Sequence, residues 1–193
     1  DAKDVAYIVK SSSNQDFINV INELGLSYDI INSTDIGSVN FSSYGMILVG
    51  NENFNSNAIN IPVTEYNSLI VNKDHIDEWG LSRTGLSLTA SSQILKIKNL
   101  DINKWITNGM NRTIEAYISC CFADGFNLPI YSIDRGDRAM LGLYSVSTTD
   151  ETLADTVIAI ALPKTKLFNN KVVKGRMLFF GVTESNYWSG NST

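Results

Sequence analysis

Asp4-Val5-Ala6-Tyr7-Ile8-Val9, then Ser11-Ser12-Ser13-Asn14, then Phe17, Ile18, Val20, Ile21 and Leu24: this stretch decides the fold. Successive apolar side chains from Val5 to Val9 suit a parallel strand buried on both faces. The apolar positions that follow recur at helical spacing, which places them on one stripe. Ser13 reads as the N-cap and Asp16 as a first-turn carboxylate, with Gly25 just past the helix end. Residues 28–31 read as a second strand, completing a β-α-β unit whose crossover is right-handed.

Working outward, Met46-Ile47-Leu48-Val49-Gly50 is a third buried strand, followed by an Asn-rich loop over residues 51–60. Ile61-Pro62-Val63-Thr64-Glu65-Tyr66 reads as a fourth strand, with proline near its start where a missing N–H matters least. Residues 73–81 read as a short helix ended by Gly80. Beyond this point alternation replaces helical spacing. Residues 85–90 and 93–98 suggest a hairpin, residues 103–107 a short helix or turn, and residues 113–122, 130–133, 140–146 and 156–161 strands. Met177-Leu178-Phe179-Phe180-Gly181-Val182 is a last buried strand.

The expectation is an α/β fold of flavodoxin-like or Rossmann-like type. Its sheet is mostly parallel, with helices on both faces and β-rich hairpin additions in the second half. No repeat or low-complexity linker divides residues 1–193, so a single domain is expected. Residues 185–193 begin like a helix and then stop, the pattern of a fragment of a larger surface protein lacking its terminal helix. Tyr187 and Trp188 would cover a core edge once such a helix followed.

Composition narrows the function classes. Charged residues make up 18% of the chain against about 25% in ordinary domains, and the net charge is −5. Nucleic-acid binding needs clustered Lys and Arg, and the only gathering, residues 164–174, reads as a solvated loop. No apolar run reaches the roughly 18 residues of a membrane helix. Polarity comes instead from 21 Asn and 34 Ser plus Thr, an uncharged surface that points to an extracellular or cell-envelope setting. Sequons at Asn32, Asn40, Asn111 and Asn191 occur no more often than this composition alone predicts. Cys120 and Cys121 are adjacent, too close for an unstrained disulfide, and read as ordinary thiols. Arg135-Gly136-Asp137 spells an adhesion tripeptide, but Gly and Asp between two strands are what a turn requires.

The order of strand, helix and strand, then YGMILVG (residues 44–50), IPVTEYN (61–67), HIDEWGL (75–81) and GRMLFFGVTESNYW (175–188), resembles the class I glutamine amidotransferase-like superfamily. The likeness is greatest to its branch of trehalose-utilisation (ThuA-like) proteins and related envelope domains. The resemblance implies a flavodoxin-like sheet, a cysteine nucleophile at a sharp strand-to-helix turn, and a late His with a Glu. Here the matching strand runs into Asn67-Ser68-Leu69, and the late segment offers Thr183-Glu184 without histidine. Both halves of the machinery that amidotransferase chemistry would use are therefore missing from these positions, which speaks against that activity.

In open α/β sheets ligands sit beyond the carboxyl ends of the strands. On the expected strands that edge gathers Ser11, Ser12, Asn14, Asn51, Glu65, Tyr66, Asn67, Ser68 and Glu184. Neutral hydrogen-bonding groups beside flat aromatic faces suit a sugar or polyol better than a phosphate. The serine loop resembles a flavin-phosphate loop but lacks its glycine, and N-capping explains it. Ser68 would need a base, and His75 is read as lying on a helix surface beside Trp79. Asp74, Asp77 and Glu78 are read as a solvated face.

The sequence thus points to a non-catalytic ligand-binding or assembly domain of a secreted or surface protein, with no cofactor and no metal. Its partners would be carbohydrate, other domains of the same polypeptide, or a second copy joined through an edge strand. The alternative is a carbohydrate-active enzyme using Glu65, Glu184, Tyr66 or His75 as acid–base groups.

Overall fold

A computed structural model describes residues 2–83, 86–89, 94–96, 113–115, 130–134, 140–144, 156–183 and 185. Strand β1 (Lys3–Val9) lies between β2 (Tyr28–Asn32) and β3 (Tyr44–Val49), parallel to both. Strand β4 (Ser68–Ile70) continues the parallel set beyond β3, and β11 (Met177–Phe180) pairs parallel with β4 on its far side. From β11 onward the sheet turns antiparallel through β10 (Thr156–Ala161), β9 (Met140–Tyr144), β8 (Ile130–Ile133) and β5 (Leu86–Thr89). The order is β2-β1-β3-β4-β11-β10-β8-β5, with β9 also on β10. A separate pair joins β6 (Ile94–Lys96) to β7 (Thr113–Glu115).

The β-α-β opening forms as expected. Helix α1 (Gln15–Glu23) starts one residue later than predicted, on Asn14, whose side-chain oxygen accepts the Asp16 N–H at 2.8 Å. Gly25 takes φ +67° beyond its end, the left-handed conformation that glycine adopts without cost. The stripe of α1 packs Phe17, Ile18 and Ile21 onto Val5, Tyr7, Val9 and Leu48 of the sheet.

Three expectations give way. First, the sheet is α/β and mixed, not mostly parallel: four of its pairings are parallel and four antiparallel among the described residues. Second, among the described residues helices do not cover both faces. The face opposite α1 is closed by short 3-10 turns at Ile36–Ser38, Phe41–Ser43 and Asn55–Asn60 and by the single-turn α2 (Ile76–Trp79). The Asn-rich segment explains part of this, because Asn side chains compete for the backbone and favour caps and turns over helix interiors. Phe41, Phe54, Ile61, Val63, Trp79 and Leu81 supply the apolar side of that layer, packing on Ala6, Ile8, Ile47, Val49 and Ile70. Third, residues 61–66 are not a strand. They turn, with the Val63 N–H on the Ile61 carbonyl and the Glu65 N–H on the Pro62 carbonyl, and strand begins only at Ser68. The apolar residues Ile61 and Val63, taken as strand interior, instead plug the layer under the sheet.

The predicted hairpin is also replaced, since β5 pairs with β8 and β6 with β7. Cys120, Cys121, Arg135-Gly136-Asp137, residues 103–107, Glu184, Tyr187 and Trp188 lie outside the described residues.

Gly181 joins the parallel and antiparallel halves. Its N–H donates to the Val157 carbonyl at 2.8 Å and its carbonyl accepts the Tyr131 N–H at 2.9 Å. A Cβ at this position would lie 1.9 Å from the Tyr131 carbonyl oxygen, a backbone atom that cannot swing away. Gly181→Ala is therefore expected to lower the unfolding free energy by about 1–3 kcal/mol, the range for overpacked sites. Urea denaturation of the variant checks this, and an unchanged midpoint would contradict the close approach.

Candidate functional site

The strand order reverses at β1, since β2 lies to one side and β3 to the other. The loops leaving β1 and β3 therefore diverge, and the crevice between them is where open α/β sheets receive ligands. It encloses about 380 Å³, between Ser12, Ser13 and Asn14 of one loop, with Gln15 at the start of α1, and Asn51 and Glu52 of the other.

Each wall is braced by its own backbone. Glu52 accepts the Lys10 N–H at 2.8 Å, the Ser11 N–H at 3.3 Å and the Ser11 hydroxyl at 3.1 Å. Asn72 donates from one amide nitrogen to the Gly50 carbonyl at 2.7 Å and the Glu52 carbonyl at 2.8 Å, and its oxygen accepts the Asp74 N–H. Asn32 ties the other side of the loop by donating to the Lys10 carbonyl. The floor is Tyr7, whose hydroxyl accepts the Asn14 N–H at 2.9 Å. Burial first, and the nearby Glu52 carboxylate in addition, push the Tyr7 phenol up to about 12, against the lowering effect of the Asn14 N–H.

This arrangement disfavours an anionic occupant. The loop amides that could cradle a phosphate at Lys10 and Ser11 already hold an internal carboxylate. Asp16 and Glu52 add negative charge at the border, so an incoming anion meets repulsion and occupied donors. What faces the crevice is mainly hydroxyl and amide. Asn51 Oδ1 is enclosed and has no hydrogen-bond partner among the described residues. A buried acceptor left in that state costs free energy until a donor arrives.

The expected site residues divide between the two ends of the strands. Ser11, Ser12, Asn14 and Asn51 gather at the crevice. Glu65, Tyr66, Asn67 and Ser68 do not, because the strand they were assigned to starts later and leaves them at the opposite edge. There Glu65 forms an ion pair with Lys174, whose ammonium pKa is raised by that hydrogen bond. Tyr66 packs on Phe41, with ring centroids 6.0 Å apart. Asn67 donates to the Gly45 carbonyl and accepts the Arg176 N–H, tying the entries of β3 and β11 together. Ser68 is buried and donates its hydroxyl to the Val63 carbonyl at 2.9 Å, so it is not poised as a nucleophile.

His75 is also placed differently from the sequence expectation. It is 4% exposed, held between the rings of Phe54 and Trp79, and its Nε2 accepts the Phe54 N–H at 2.7 Å. That bond puts the neutral ring's proton on Nδ1, which faces Glu78 at 3.4 Å. The imidazole is a structural acceptor that orders the loop after β3. Asp74, Asp77 and Glu78 are exposed, as a solvated face requires. No three His, Cys, Asp or Glu side chains gather as a metal site among the described residues.

Sequence reasoning missed Tyr7, and it placed Glu52 and Ser185 within strand-end segments without singling them out. Tyr7 had a signal, being the one polar tip inside a buried strand, where a phenol needs a partner. Glu52 had another, as the first carboxylate after a buried strand and within reach of the loop opposite. Ser185 had none. Its hydroxyl accepts from the Asn14 amide at 2.8 Å and donates to Asp16 at 3.0 Å.

No family model and no curated protein matches this chain.

Two outcomes test the site's construction. Tyr7→Phe is expected to remove an alkali-resistant phenol. The raised folded pKa stabilises the native state below pH 10, and that contribution is lost between pH 10 and 12. Absorbance at 295 nm across that window follows both effects. Glu52→Ala, which strips three acceptor contacts from a partly exposed loop, is expected to cost about 1–2 kcal/mol in urea denaturation.

Proposed function

We propose that this chain is a non-catalytic binding domain of a secreted or surface-attached polypeptide, and that its crevice at the carboxyl edge of β1 and β3 takes a neutral polyhydroxylated ligand such as a sugar residue. The observation that carries this reading is a crevice lined by the side chains of Ser12, Ser13, Asn14, Gln15 and Asn51, whose nearby loop amides at Lys10 and Ser11 are already filled by Glu52. Sugar hydroxyls both donate and accept, and the hydroxyl and amide side chains of the lining can serve them. The uncharged, Asn- and Ser-rich composition supports the extracellular setting.

The parallel order β2-β1-β3-β4-β11 supports a flavodoxin-like assignment for the first half, and with it kinship to the amidotransferase-like superfamily. In this reading the scaffold has lost the thiol and imidazole that turnover requires. The hydrolytic alternative is weakened because Glu65 and Tyr66 lie at the far edge and His75 spends its acceptor nitrogen on Phe54.

Titrating the ¹⁵N-labelled chain with a panel of mono- and oligosaccharides tests the proposal. Amide shifts at Ser12, Ser13 and Asn51 are expected, and Asn51→Ala should weaken binding about tenfold, the loss of one hydrogen bond. Silence across the whole panel would remove the binding reading. Cleavage products in the same samples would restore the enzyme.

A further inference from the structure

Two of the sequons, at Asn32 and Asn40, lie on described residues, and the fold treats them differently. Both hold the hydroxyl that the acceptor motif requires in the same place. The Ser42 hydroxyl donates to Asn40 Oδ1 at 2.7 Å, and the Thr34 hydroxyl donates to Asn32 Oδ1 at 2.9 Å. The backbone N–H of the same residue joins it, at 3.3 Å for Ser42 and 3.0 Å for Thr34. Each carboxamide is therefore oriented through its oxygen, and the nitrogen is what distinguishes the two.

Asn32 is half-buried at the carboxyl end of β2, and its Nδ2 donates to the Lys10 carbonyl at 2.9 Å, bracing the loop that walls the crevice. A sugar on that nitrogen would crowd a contact the fold uses. Asn40 stands at the opposite edge of the sheet, just before β3 begins. It is exposed, as is Ser42, and its Nδ2 has no hydrogen-bond partner among the described residues. Phe41 between them is buried, with its ring 6.4 Å from that of Tyr44 and 6.0 Å from that of Tyr66. The Ser43 hydroxyl holds the Asn40 carbonyl at 2.8 Å. The segment is thus pinned from beneath while the amide nitrogen stays free. The length of β3 puts about 20 Å between Asn40 and the crevice, so an oligosaccharide at Asn40 leaves the crevice open.

We propose that Asn40 is an attachment site for an N-linked oligosaccharide and that Asn32 is not. The inference rests on the extracellular setting proposed above, because this modification belongs to secreted and surface proteins. In the transfer, the bond between the anomeric carbon of the sugar and the diphosphate of a lipid-linked donor breaks, and a bond from Asn40 Nδ2 to that carbon forms. The nitrogen gives up one proton, and the diphosphate leaves with the bonding electron pair and takes up a proton. Nδ2 keeps its second hydrogen, and the two Ser42 contacts to Oδ1 are untouched.

The full chain, secreted from a eukaryotic host behind a cleavable leader, tests the assignment. Peptide-N-glycosidase in ¹⁸O water converts each occupied Asn to an ¹⁸O-labelled Asp, which fragment mass spectra assign to its position. Label at Asn40 is expected to exceed label at Asn32 by about fivefold or more in the folded product, the population effect of disturbing one hydrogen bond at Asn32. Ser42→Ala is expected to abolish the Asn40 label and Ser42→Thr to keep it. A secreted chain with Asn40 bare, with Asn32 labelled as heavily, or with label that survives Ser42→Ala would overturn the inference and leave the crevice reading to its saccharide titration. A chain retained in the cell with Asn40 bare would overturn it and count against the extracellular setting as well.

Discussion

The structure depends on burying β1 from both sides at once. Ala6 and Ile8 face one apolar layer and Val5, Tyr7 and Val9 the other, and all five are under 5% exposed. A strand so placed has to be covered above and below, and the two coverings differ because the connecting segments differ in composition. Where the sequence offers a 3.6-residue apolar stripe, a helix forms. Where it offers Asn, Ser and a proline between isolated large side chains, short turns form and each drives one or two residues, such as Phe41, Phe54 and Ile61, into the gap.

That difference accounts for what could be read in advance. The β-α-β opening was legible because hydrophobic period, cap and terminal glycine agree over residues 4–31. The third strand and the last one were legible as unbroken apolar runs. The stretch at residues 61–66 was not, because a run containing Ile61 and Val63 looks the same whether it spans a sheet or plugs the space beneath it. Its misplacement carried Glu65, Tyr66, Asn67 and Ser68 to the wrong end of the strands. The antiparallel half was legible as strands but not as pairings, since which strand meets which is settled by contacts far apart in the chain.

The site was half legible for a related reason. The edge at which to look follows from topology, and Ser11, Ser12, Asn14 and Asn51 were found there. The chemistry of the crevice, however, is governed by a residue whose carboxylate is engaged within the protein. Glu52 fills the amides of the opposite loop, and this internal anion makes the serine loop a poor phosphate cradle although its sequence resembles one. Polarity in the crevice is therefore a matter of which donors and acceptors remain after the protein has satisfied its own.

The pairing of β4 with β11 has a consequence for how the molecule is made. Asn67 and Arg176, which hydrogen-bond where these strands begin, stand 109 positions apart. During synthesis the first four strands leave the ribosome long before their neighbour exists, with the flank of β4 open to any passing backbone. Ring closure over so long a stretch is slow, and unpaired edges invite intermolecular association. Nascent copies crowded on one messenger would be most exposed to mispairing at this seam, and a chaperone that shields Leu69 until Leu178 arrives would act where the delay is longest.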